Sequence, residues 1–114
     1  MSATPDGAHL PAEDAKLLTL ARAARARVGG AEGAALRDDI GRTYAAGSVD
    51  LPSLRLSALQ AAVAAAVSSG SGHVVAACVL GDGDGLTDAD RVLLDDLGVE
   101  IVLLAAPDGT LLRQ

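Results

Sequence analysis

The chain has no tryptophan, no phenylalanine and a single tyrosine, Tyr44. Any core must therefore be assembled from alanine, valine and leucine. Such small side chains bury little area each, at roughly 25 cal/mol per Å². Cysteine is nearly absent too. The lone Cys78 excludes an intrachain disulfide and suits a reducing compartment, so a cytoplasmic location is expected. Positive charge is scarce: nine Lys and Arg stand against fifteen Asp and Glu, a formal net charge of −6. That balance disfavours phosphate backbones, so nucleic acid is not an expected partner. No charged segment followed by an apolar one opens the chain, which argues against a secretion signal. Residues 56–81 carry no formal charge, with His73 counted neutral. Ser68-Ser69-Gly70-Ser71-Gly72 splits that stretch and makes it a poor membrane span.

Half of the 114 residues are hydrophobic, enough for one small domain. Residues 1–9 read as a flexible tail and 10–114 as a single domain. A core so poor in large side chains gains from oligomerisation. Pro11 suits the first turn of a helix, with Glu13 and Asp14 near its positive end and Arg22, Arg25 and Arg27 near its negative end. Leu17, Leu20, Ala21, Ala24 and Val28 form one apolar stripe at helical spacing, and Gly29-Gly30 ends it. A hairpin follows, with strands around Ala34-Ala35-Leu36-Arg37 and Arg42-Thr43-Tyr44-Ala45 and a turn at residues 38–41.

The pattern predicts a second helix over residues 52–68. It is apolar nearly all round, with Gln60 the main exception, so it must be covered on every side. A sheet on one side and a partner subunit on the other would do this. Residues 73–80 read as a strand buried on both faces. After the acidic glycine loop 81–85, Thr87 can cap a third helix, with Asp90 in the position of an acidic capping partner. A strand over 99–105, a turn at Asp108-Gly109 and a short edge strand at Thr110-Leu111-Leu112 complete the order α-β-β-α-β-α-β-(β). This points to a sheet with helices on its faces.

Common chemical motifs fit poorly. Arg22, Arg25 and Arg27 already match the helix dipole and read as a solvated face. Asp82, Asp84, Asp88 and Asp90 fail the EF-hand pattern, since Leu86 or Leu93 falls at a ligand position. The glycine loop lacks the lysine of a phosphate-binding loop and carries aspartates that repel an anion. Cys78 reads as a small core residue. His73, at a strand start, reads as a surface or boundary residue.

The order of several segments nevertheless resembles the cytidine deaminase family. Gly33-Ala34-Ala35-Leu36, a turn ending in Gly41 and Arg42-Thr43-Tyr44-Ala45-Ala46-Gly47 resemble that family's first hairpin. Ser57-Ala58-Leu59 falls where the family has C-A-E or H-A-E. Thr87-Asp88-Ala89-Asp90-Arg91 falls where it has C-x-x-C-R, thirty residues later. The resemblance implies a three-layer α/β/α fold with a mixed sheet of about 4–5 strands and helices on both faces.

It also implies zinc held by the two helix starts, with a glutamate moving protons. Here the ligand positions are Ser57, Thr87 and Asp90, and the glutamate position is Leu59; Arg91 still matches. Ser48-Val49-Asp50 stands where the family's N-V-E makes ribose contacts. The expectation is therefore a deaminase scaffold without deaminase chemistry: no zinc, no cofactor, and a remnant small-molecule pocket near Ser48, Asp50, Ser57, Thr87, Asp90 and Arg91. Small cytidine deaminases are homotetramers, so the resemblance implies a homo-oligomer, tetramer first and dimer second. The alternative is a diverged nucleoside or nucleotide deaminase, or an accessory subunit of an active one.

Overall fold

Alternation with period two organises the centre of the molecule. In the computed structural model, which describes residues 10–83 and 86–113, β1 (Glu32–Asp38) lies between β2 (Thr43–Gly47) and β5 (Val74–Gly81) and is antiparallel to both. The odd-numbered side chains of β1 face α1 (Ala12–Val28): Ala35 packs with Leu17 and Ala21, and Arg37 reaches Asp14. Ala34 and Leu36 face the other way and pack with α2 (Ala58–Ser68). Strand β5 divides likewise, with Ala76, Cys78 and Leu80 on the α1 side and Ala77 and Val79 on the α2 side. Both its faces are covered, which explains the unbroken apolar run.

Beyond β5 lie β6 (Ile101–Ala105), parallel to it, and β7 (Leu111–Arg113), antiparallel to β6. The parallel pair needs a crossover, and α3 (Asp88–Leu97) supplies it. The result is a mixed sheet in the order β2-β1-β5-β6-β7, with α1 on one face and α2 and α3 on the other. This is the three-layer α/β/α arrangement expected. Gly29 and Gly98 end α1 and α3 in the left-handed conformation (φ 63° and 65°) that favours glycine.

Close approach dictates one further glycine. A Cβ on Gly33 would lie 2.0 Å from the carbonyl oxygen of Ala21, so α1 settles directly on the β1 backbone. Across the same contact Asp14 accepts a 2.8 Å hydrogen bond from Arg37, and both side chains are nearly buried.

Several expectations need correcting. The second helix begins at Ala58, not at 52. Residues 49–56 instead form a small antiparallel ribbon of β3 (Val49–Leu51) and β4 (Leu54–Leu56). Pro52 takes a turn position, where its fixed φ is as welcome as in a helix's first turn. Val28 drops out of the α1 stripe and is 48% exposed, while Leu18 and Asp14 are buried in that face. Strand β6 starts at Ile101, two residues late. On α2, Ala64 and Val67 face outward, so this helix is not covered all round within one chain. The expected tail, 1–9, and two residues of the glycine loop, Asp84 and Gly85, lie outside the described residues.

Candidate functional site

Two helix starts meet at one end of the α2 face of the sheet. Ser57, in extended conformation, caps α2: its Oγ accepts from the Gln60 N–H at 3.0 Å, and the Gln60 side chain accepts from the Ser57 N–H at 2.8 Å. This reciprocal box satisfies two backbone donors that a helix start would otherwise leave orphaned. Thr87 caps α3, accepting from the Asp90 N–H at 3.1 Å. The Asp90 carboxylate does not turn back to complete a box there. It accepts a 2.7 Å hydrogen bond from Ser57 Oγ, on the other helix. Asp90 is 1% exposed. The serine hydroxyl thus donates to Asp90 and accepts from Gln60, using its one hydrogen and one of its lone pairs.

A third side chain joins from the sheet. Glu32, at the start of β1, accepts from the Ala58 N–H at 3.2 Å. Two carboxylates therefore stand at the positive ends of two helices, where negative charge is favoured. The sequence reading did not single out Glu32. The available signal was a lone charge at the head of the apolar segment Gly33-Ala34-Ala35-Leu36, where a strand buried on both faces has no solvent for it.

The other expected positions are scattered. Leu59 is fully buried in the core beneath α2. Ser48 is half-buried, and its N–H donates to the Glu32 carbonyl at 3.3 Å. Asp50 is exposed on β3 and pairs with Arg55 at 3.2 Å. Arg91 is half exposed and reaches Asp88 at 3.5 Å. The structure thus joins Ser57, Thr87 and Asp90 in one network and leaves Asp50 and Arg91 outside it.

Among the described residues, no group of three or more His, Cys, Asp or Glu is placed to hold a metal ion. Cys78 lies in mid-strand on the α1 side, fully buried, and burial pushes its thiol up to about 12. His73 is exposed, and its carbonyl accepts from the Asp39 N–H. Arg25 joins the Ala31 carbonyl and Asp82 at the end of α1.

The cavities lie around this network rather than in it. A pocket of about 20 Å³, room for one water, touches Glu32, Val79, Gly81 and Leu104. A groove of about 540 Å³ runs between α2 and α3, lined by Leu56, Val63, Val67, Val92 and Leu93 among others. Of the six positions expected in a remnant pocket, Arg91 lines a third cavity, beside α3. No helix among the described residues is long and apolar enough to cross a membrane.

Comparison with known proteins agrees with this architecture. No curated protein sequence matches the chain. Solved structures do. The cytidine deaminase of Burkholderia pseudomallei superposes with a TM-score of 0.72 at 26% identity, over 84% of this chain and 87% of that one. The enzyme of Mycobacterium tuberculosis gives 0.62 at 29% identity, over 78% and 80%. That of Mycobacterium leprae gives 0.60 at 25%, over 82% and 87%. The sequence model of a family described as cytidine deaminase-like matches residues 10–109, nearly the whole of the described fold. By that match, the chain belongs to the cytidine deaminase-like family.

Proposed function

We propose that this protein is a catalytically inactive cytidine deaminase-like protein that acts as an oligomeric binding or assembly module in the cytoplasm. The observation that carries the reading is the 2.7 Å hydrogen bond between Ser57 and Asp90. A zinc deaminase uses two helix starts to hold a metal through thiolate or imidazole, with one position left for water. Here the same two starts are tied to each other. Their hydroxyls are committed to backbone caps, and the Glu32 carboxylate holds the first N–H of α2. Zinc does not fit this donor set: two neutral hydroxyls and one carboxylate already holding a hydrogen bond are poor ligands beside thiolate. Leu59, at the proton-shuttle position, carries no titratable group and faces the core.

The assembly half of the reading rests on the groove between α2 and α3. Val67 and Val92, on its rim, are 55% and 60% exposed. A second copy of this chain covering that groove would bury both helices' outward apolar side chains.

Elemental analysis after mild chelation should find no stoichiometric zinc. Neither cytidine nor deoxycytidine should release ammonia. About one zinc per chain, or robust turnover with or without chelator, overturns the inactive reading. Light scattering across a dilution series should show a tetramer or, failing that, a dimer, dispersed by Val67→Arg. A folded monomer at high concentration overturns the assembly.

A further inference from the structure

We propose that the space between α3 and β6 is a binding site for a small aliphatic amino acid, held as the zwitterion. The space exists because α3 does not settle onto the sheet as the other helices do. α1 packs closely across β1, β2 and β5, and α2 across β1 and β2, whereas α3 meets mainly α2. Strand β6 continues beneath it, with Val102 and Leu104 on the α3 side by the period-two rule. Between them lies a cavity of about 300 Å³, at the lower end of the range of small-ligand pockets.

Its walls divide by chemistry. Among the described residues, Leu86, Leu94, Val99, Val102 and Leu104 give an aliphatic lining. No aromatic ring contributes, so a planar base would find nothing to stack on. The remaining two lining residues are Arg91 and Asp95. They are one helical turn apart and project from the same side of α3. They form no ion pair with each other: Arg91 reaches only the fully exposed Asp88, at 3.5 Å, and no ion pair to Asp95 is found among the described residues.

An aliphatic pocket edged by one cation and one anion, a turn apart, complements a molecule with the same three parts. The Arg91 guanidinium would grip a carboxylate through its planar fork. The Asp95 carboxylate would take an ammonium. A branched aliphatic side chain would fill the space above Val102 and Leu104. A plain fatty carboxylate would meet Asp95 as a repulsive neighbour, and a plain amine would meet Arg91 the same way. The site is separate from the Ser57–Asp90 network, so the inference stands whether or not the chain retains deaminase chemistry.

Amide chemical-shift titration of the full chain tests it, with four probes: L-leucine, 4-methylpentanoate, 3-methylbutylamine and N-acetyl-leucinamide. Leucine should shift Leu94, Val99 and Val102 and bind at least about tenfold tighter than either singly charged analogue. N-acetyl-leucinamide, which has the side chain and neither charge, should not bind. Arg91→Gln and Asp95→Asn should each weaken leucine about tenfold. Both side chains are exposed, so thermal stability should hold. Absence of leucine shifts up to about 10 mM overturns the proposal. So does 4-methylpentanoate binding as well as leucine, which would make this a carboxylate site. Binding of N-acetyl-leucinamide overturns it as well, by making the space a groove for apolar peptide.

Discussion

The two faces of the sheet are packed by different means. On the α1 face, small residues let backbone approach backbone: Ala21 lies over Gly33 and packs with Ala35, Ala24 lies over Gly47, and no room is left for a Cβ at Gly33. On the other face, α2 is alanine-rich and close, while α3 is leucine-rich and stands off. Both of the larger cavities are on that second face. Small side chains thus need not mean a loose core. They seal tightly where glycine admits them, and the openings appear where larger side chains hold a helix away.

The largest test of the contrast is Gly33→Ala. The new methyl would meet the Ala21 carbonyl, a backbone atom that cannot swing aside. The expected cost is about 3 kcal/mol or more, the upper end of overpacking effects, read in a denaturant titration. A neutral outcome would mean that α1 can lift off without penalty. Next is Asp14→Ala, which leaves Arg37 without its partner under α1. Breaking a fully buried pair costs roughly 3–5 kcal/mol. This one keeps slight solvent access, so about 2–3 kcal/mol is expected, with Arg37→Met/Asp14→Leu recovering much of it.

The second face gives smaller effects. Ser57→Ala removes a cap and strands the buried Asp90 carboxylate, at a cost of about 2 kcal/mol. Thr87→Ala removes only a cap at an exposed position and should cost about 1 kcal/mol. Equal losses would show that the Ser57–Asp90 bond contributes nothing to holding the helix starts together. The smallest effect is in acid. Burial acts to raise the Asp38 carboxyl. Hydrogen bonds from the Arg42 N–H and guanidinium, the Ser71 hydroxyl and the Ile40 N–H outweigh it and hold the carboxyl below the ordinary aspartate value. A group depressed on folding stabilises fully above the unfolded value, near pH ~4. That contribution is lost as pH falls through the lower folded value. Asp38→Asn should flatten that limb of a pH–stability curve, and an unchanged limb would remove Asp38 from the account.

Local signals carried much of the fold in the sequence. Val74–Gly81 is apolar without a break and Thr87 is a strong cap, so β5 and the start of α3 were legible, whereas the start of α2 at Ser57 was not. The β3–β4 ribbon was not, because Pro52 followed by leucines suits a helix start as well as a turn. Half of the site was legible in the same sense. Position singles out Ser57, Thr87 and Asp90, yet the local pattern has Asp90 closing a box on its own helix. Its actual partner is 33 residues away, and no local pattern encodes that choice. Gln60, noted only as the polar exception on an apolar helix, completes the capping box. Glu32 stands out locally only as a lone charge before an apolar segment; its partner, the Ala58 N–H, depends on where α2 begins in space.

Tyr44 has a practical consequence. It lies on β2, partly buried against the α2-side core cluster, in a chain with no tryptophan. Ultraviolet emission excited near the tyrosine band therefore comes from one fluorophore at one known place. A shift in α2 or loosening of the neighbouring strands would change that single signal with no competing background. The protein carries its own optical reporter, positioned on the more open face of the sheet.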